Sequence, residues 1–127
     1  MSTEQRPPIW IGHVTLRTPC LDESETFMKA IGLRGIVHGE NVAVLELRGG
    51  THLVLIRDED SASAQGVAAS FDFMVEDLIA TRDDFVAQGL TVSEIEHGRI
   101  HDAFRLTEPG GNVITVNSTH VPDHALV

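Results

Sequence analysis

Residues 21–33 read LDESETFMKAIGL, and residues 78–90 read LIATRDDFVAQGL; laid over one another they match at Leu21/Leu78, Ala30/Ala87, Gly32/Gly89 and Leu33/Leu90. Four identities alone would be weak, but the surroundings agree as well. Each segment follows an alternating apolar run, WIGHVTLRT (10–18) before the first and ASFDFMV (69–75) before the second. Three further runs follow each: RGIVHG, NVAVLELR and THLVLIRD after the first, LTVSEIE, RIHDAFRLT and NVITVNS after the second. Alternation of period two marks half-buried strands, and repetition at a fixed offset marks a duplicated unit. Each half therefore reads β-α-β-β-β.

Local signals agree with this. Asp22 and Glu25 have the spacing of a helix capping box, Phe27, Met28 and Ile31 form an apolar stripe, and Gly32 suits the left-handed residue past a helix end. In the second helix Asp77 is the predicted cap, Leu78, Phe85 and Val86 the stripe, and Gly89 the terminator. Gly49-Gly50 suits a two-residue hairpin turn that needs positive φ. Small, polar DEDSASAQGVA (58–68) reads as the linker, so module 1 covers about 9–57 and module 2 about 69–118, with tails at 1–8 and 119–127.

Composition limits the functions available to such a chain. The 127 residues include 42% hydrophobic and 22% charged side chains, enough apolar material for one folded unit. A formal charge of −10 speaks against a nucleic-acid or anionic-membrane surface, both of which need clustered Lys and Arg. Cys20 stands alone, which excludes a disulfide framework and a multi-cysteine zinc site and suits a reducing, cytoplasmic setting. MSTEQRPP is not a basic start followed by an apolar run, and no apolar stretch approaches the ~18 residues of a membrane span. GxSxG, Walker A and GxGxxG patterns are absent from the sequence.

Two βαβββ halves, with GHVTL opening the first, FMVEDL opening the second and EPGGNVITV closing it, resemble the vicinal oxygen chelate superfamily over about residues 9–118. That group includes glyoxalases, bleomycin resistance proteins, fosfomycin-resistance enzymes and extradiol dioxygenases. The resemblance implies an α+β fold in which two tandem modules form a curled mixed sheet around a cleft, with helices outside. It also implies a homodimer, some members completing each cleft with the partner chain. A ferredoxin-like pair of βαβ units, the competing fold, leaves a strand over in each half.

Strand alternation then selects the side chains that line the cleft. If Val14 and Leu16 pack under the first helix, His13, Thr15 and Arg17 face inward; His52, Val54 and Ile56 share that side on the fourth strand. On the fifth strand Ser70, Asp72 and Met74 face in, on the seventh His101, Ala103 and Arg105, and on the eighth Val113, Thr115 and Asn117. Metal-dependent members of the superfamily coordinate a divalent ion from the first, fourth, fifth and eighth strands. Those positions here are His13, Val54, Ser70 and Thr115, of which only His13 is a good ligand. No metal or other cofactor is therefore expected; a relocated divalent ion would take His13 with His52, Asp72 or His101.

Arg17 and Arg105 on inward faces call for anionic company. Either Asp72 pairs with arginine internally, or the arginines clamp an anionic ligand that Asp72 orients. Two functions follow. One is a metal-independent protein that binds a small organic molecule through Thr15, Arg17, His52, Ser70, Met74, His101, Arg105, Thr115 and Asn117. The alternative is a lyase, isomerase or dioxygenase type of enzyme acting on a small oxygenated substrate, with a relocated metal or with His13 and Asp72 as acid–base residues. His38, His97, His120 and His124 lie near turns or in the tail and are predicted to be solvated, and Cys20 is read as structural.

Overall fold

The computed structural model describes residues 6–63 and 66–119; His120, His124 and the remaining chain ends lie outside the described residues. In the first module β1 (His13–Thr18) leads into α1 (Leu21–Ala30), then β2 (Arg34–His38), β3 (Val42–Glu46) and β4 (His52–Arg57). In the second β5 (Phe73–Val75) leads into α2 (Leu78–Ala87), then β6 (Thr91–Val92), β7 (Glu96–His97), β8 (Asp102–Thr107) and β9 (Val113–Ser118). Each module has its own mixed sheet, ordered β1-β4-β3-β2 and β5-β9-β8-β6, with β7 also on β8. The strand before each helix runs parallel to the last strand of its module, β1 with β4 and β5 with β9, and the other neighbours are antiparallel. The same path drawn twice is the duplication seen in the sequence.

Alternation places one row of side chains from each sheet under its helix. Leu16, Ala43, Leu45, Leu53 and Leu55 bury with Leu21, Phe27 and Met28 of α1; Phe104, Leu106, Ile114 and Val116 bury with Leu78 and Phe85 of α2, where the rings of Phe85 and Phe104 meet edge to face. Each of these side chains larger than alanine contributes about 1.5–3 kcal/mol by leaving water. Val86, predicted to belong to the apolar stripe of α2, is instead half exposed on its outer side.

Turn chemistry follows the sequence reading in most places. Asp77 caps α2 by accepting from the Ala80 N–H at 3.0 Å, and Gly32 and Gly89 close their helices at φ of 119° and 79°. Helix α1 differs: Cys20 occupies the cap position with no side-chain cap bond, so Asp22 sits within the first turn. The hairpin between β3 and β4 is longer by one residue than predicted. Arg48, Gly49 and Gly50 form its loop, with both glycines at positive φ, and the Leu47 N–H donates to the Thr51 carbonyl at 2.8 Å.

Two strands depart from their predicted bounds, each through extra residues set against a shorter partner. Parallel bridging at Ala68↔Val113 resumes at Phe73↔Val116, so residues 69–72 bulge out and β5 begins only at Phe73. The predicted sixth strand divides into β6 and β7, because the pairing moves from Val92↔Leu106 to Glu96↔Ala103. At that irregularity the Ser93 hydroxyl replaces a ladder carbonyl and accepts from the Arg105 N–H at 2.8 Å.

A buried polar chain joins the modules. Glu108, 2% exposed at the end of β8, accepts from Ser24 Oγ of α1 at 2.6 Å and from the Asn112 N–H and Nδ2 at 2.9 and 2.8 Å. Since the Ser24 proton goes to the carboxylate, Thr18 Oγ1 donates to Ser24 Oγ at 2.8 Å, and Thr18 in turn accepts from the Cys20 N–H. Asn112 Nδ2 also donates to the Arg17 carbonyl at 2.9 Å. Only glycine fits at 110, where a Cβ would meet Thr18 Oγ1 at 2.4 Å. The EPGGN turn is thus seated on the first turn of α1.

A second buried carboxylate ties α1 to β2. Glu25 lies within 2.6 Å of His38 Nδ1 and 3.3 Å of Lys29 Nζ. Burial pushes its pKa up, but the hydrogen bonds and positive charges of His38 and Lys29 outweigh this and hold it below the ordinary 4.5.

Glu108→Ala should lower unfolding stability by about 3 kcal/mol in urea denaturation, because three donors lose a charged acceptor in a dry site. A change under about 0.5 kcal/mol would show that the clamp does not hold the modules. Glu25 has the lower pKa in the folded state, so its contribution is present above pH 4.5 and fades as pH falls through the folded pKa. Glu25→Gln should therefore melt lower than wild type at neutral pH, by about 1 kcal/mol given its partly exposed partners, and the gap should close on acidification. A gap constant from pH 7 down to about pH 3 would contradict this assignment.

Candidate functional site

The side of each sheet turned away from its helix is open. On the first sheet this face carries His13, Thr15 and Arg17 of β1, His52, Val54 and Ile56 of β4, and Val42, Val44 and Glu46 of β3, in the pairs His13↔His52, Thr15↔Val54 and Arg17↔Ile56. On the second it carries Ala103, Arg105 and Thr107 of β8 beside Val113, Thr115 and Asn117 of β9, with Met74 of β5 opposite Asn117. These side chains are exposed or half exposed, whereas most of their neighbours along the strands, such as Leu16, Leu45, Leu53, Leu55, Phe104 and Ile114, are buried under the helices. Alternation alone therefore separates the polar face from the core.

One row on the first sheet is organised. Across β1, β4, β3 and β2 the register sets His13 beside His52, His52 beside Glu46 and Glu46 beside Arg34. The Nε2–H of His52 donates to Glu46 Oε2 at 3.3 Å, while Arg34 Nη2 donates to Oε1 of the same carboxylate. The rings of His13 and His52 lie 5.7 Å apart at 54°. Glu46 thereby fixes the tautomer of His52 and leaves Nδ1 as the ring atom able to take a proton. Glu46 and Arg34 were absent from the sequence-derived site. The hairpin loop was the available signal: Leu47 opposite Thr51 puts Glu46 opposite His52, whereas a two-residue turn does not.

Each arginine has its own carboxylate partner. Arg17 Nη1 lies 3.6 Å from Asp58 Oδ2, and Arg105 Nη1 pairs with Glu96 Oε1. Both guanidinium groups are more than half exposed, so either carboxylate partner can be exchanged for an anion at little cost. His101 precedes β8, and its Nδ1–H donates to the Ser118 carbonyl at 2.7 Å. Thr115 pairs with Arg105 across β8 and β9.

Ser70 and Asp72 lie outside the regular strands. Both sit in the bulge before β5 and border a cavity of about 1540 Å³ between the modules, which Glu46 and Met74 also line and whose apolar lining includes Val14, Ile31, Leu33, Phe73, Val75 and Phe85. Asp72 is exposed there. Of the other predicted solvated histidines, His97 is exposed and lies 3.2 Å from Asp102 Oδ1, and His38 is exposed while bonding Glu25.

The positions that the sequence resemblance implies for a divalent ion carry weak donors apart from His13. Val54 offers no donor, and Thr115, opposite Arg105 in the β8–β9 register, and Ser70, ahead of β5, offer neutral hydroxyls. The side chains on these faces offer hydrogen bonding, anion binding and proton transfer by imidazole.

No family model and no curated protein matches the chain. Solved structures do. A lactoylglutathione lyase from Agrobacterium tumefaciens superimposes with a TM-score of 0.75 at 19% identity, covering 91% of this chain and 97% of that one. A bleomycin-binding protein from bleomycin-producing Streptomyces verticillus, complexed with copper(II)-bleomycin, gives 0.72 at 14% identity over 90% and 99%. A glyoxalase/bleomycin resistance protein/dioxygenase from Alicyclobacillus acidocaldarius gives 0.68 at 15% over 92% and 96%. The chain has the fold of these proteins over nine-tenths of its length, and at such identities the likeness is one of fold.

Proposed function

We propose that this chain is a glyoxalase/bleomycin resistance-like protein that binds a small organic molecule, with an anionic group, on the open faces of its sheets and without the usual metal. The observation that carries the reading is the contrast between fold and donor set. The fold is shared with proteins such as the copper(II)-bleomycin-bound protein of Streptomyces verticillus, while the positions implied for a metal hold Val54, Ser70 and Thr115. Arg17 and Arg105 supply exchangeable anion contacts on the two faces. Half-exposed Val54, Ile56 and Val113 supply apolar contact beside them.

Binding on faces this open needs a cover, and a second copy of the chain is the proposed one. A homodimer that sets one open face against another would enclose the ligand and remove Val37, Val42 and Met74, all exposed in the single chain, from water. A second reading, an acid–base enzyme, is favoured by one feature, the Arg34–Glu46–His52–His13 row. In that reading Glu46 orients His52, and His52 Nδ1 takes or gives the proton.

Light scattering should give a particle of about twice the 13.8 kDa chain mass; particles of one chain mass at micromolar concentration would end the dimer reading. A thermal-shift screen of small organic acids and of bleomycin should yield a binder. Arg17→Met or Arg105→Met should weaken its binding about ten- to a hundredfold at unchanged melting temperature. Unaltered affinity in both variants would remove the arginines from the site. Turnover of the bound compound that is lost in His52→Gln, with binding retained, would select the enzyme reading.

A further inference from the structure

We propose that the outer side of the first module holds a second, separate site, a divalent transition-metal site for an ion such as Zn²⁺, made by Asp22 and Glu25 of α1 and His38 of β2. It lies on the helix side of the first sheet and does not rest on the proposed function.

Among the described residues these three place one ligand atom each within 4.8 Å of one another. A tetrahedral zinc ion with bonds of about 2.0–2.2 Å needs ligand atoms about 3.4 Å apart, so closure asks for roughly an ångström of side-chain motion. Two of the three residues can supply it. Asp22 and His38 are exposed and free to re-aim, while Glu25 is fixed and buried. One pair is already closer than the ion requires, His38 Nδ1 and Glu25 Oε1 at 2.6 Å.

The set differs from a patch of surface acids in three respects. It contains an imidazole, whose nitrogen selects transition metals over calcium or magnesium. Its central carboxylate is 3% exposed, a position that a carboxylate occupies only with cations or donors around it. The two oxygens of Glu25 are also divided: Lys29 Nζ stands 3.3 Å from Oε2, leaving Oε1 turned towards His38. Lys29 would thereby orient the carboxylate from behind, as outer hydrogen-bond donors do for metal-binding carboxylates.

The backbone explains why the three meet. Asp22 and Glu25 are three residues apart on α1 and so share a face, and Gly35 lets Lys29 cross β2, since a Cβ there would meet Lys29 Cε at 2.7 Å. His38 pairs with Ala43, whose side chain is buried under α1, so its own side chain points to the helix side. On binding, the ion takes the place of the proton shared by His38 Nδ1 and Glu25 Oε1. Water completes the fourth position, giving the three-ligand open arrangement.

The test is a titration of the full chain, free of any tag, with ZnCl2 at neutral pH, followed by calorimetry and melting temperature. One ion per chain should bind here and raise the melting temperature. His38→Gln and Asp22→Asn, both changes at exposed side chains, should each weaken this binding by about tenfold or more. His52→Gln, on the opposite side of the sheet, should leave it intact. Nuclear magnetic resonance should place the zinc-dependent shift on the His38 imidazole, a readout that holds even if a variant folds poorly. Absence of stoichiometric binding in the wild type, full affinity in His38→Gln, or loss of binding in His52→Gln would each overturn the proposal.

Discussion

Glu108 is the point on which the two modules turn. Its carboxylate is shut away from water and receives a hydroxyl from α1 and two N–H groups from its own turn. A charge in that position is tolerable only while every donor stays in place, because a buried charge without donors costs several kcal/mol. The relay Cys20 N–H, Thr18, Ser24, Glu108 therefore fixes three things together: the exit of β1, the first turn of α1 and the turn before β9. Glycine at 110 permits the close approach, and Asn112 reaches from the same carboxylate to the carbonyl of Arg17. Among the described residues every fully buried side-chain polar atom has a hydrogen-bond partner, so the seam is sealed without strain from orphaned groups.

With the seam fixed by β1 and the last turn, both open faces take their position from elements at the module boundary. Arg17 precedes Thr18 in the relay, and its side chain points to the open face because Thr18 points inward. The site and the clamp are thus alternate residues of one strand. The polar row farther along the sheet is set by a different device, the glycine-rich hairpin, which carries Glu46 to the side of His52. Neither device belongs to the core, and both decide which chemistry the core displays.

The two buried carboxylates of the first helix region serve opposite surfaces. Glu108 receives neutral donors at the seam, whereas Glu25 meets the Lys29 ammonium and the His38 imidazole on the outer side. This difference follows from access to solvent. His38 and Lys29 keep their polar ends partly in water while reaching the carboxylate, an arrangement that long or aromatic polar side chains allow at an edge and that the closed seam does not.

The sequence by itself determined the duplication, the order of elements, the helix terminators and the face of each long strand. All of these depend on local periodicity or on a residue's own φ preference, as with Leu16, Leu53 and Ile114 facing in, and Gly32 and Gly89 at positive φ. It also identified the open-face positions of His13, Thr15, Arg17, His52, Thr115 and Asn117 by phase. The tertiary structure alone decided which of them meet. Bulges before β5 and between β6 and β7 carry Ser70 and Asp72 away from the strand phase and interrupt LTVSEIE, and an insertion of one or two residues leaves the apolar pattern on either side intact. Glu108 read as the start of a closing turn, because nothing in EPGGN reveals that the carboxylate's partner is Ser24, 84 residues earlier. Contacts between distant segments are set by how helices seat on sheets, and that seating is a property of the whole core, which no single stretch of sequence contains.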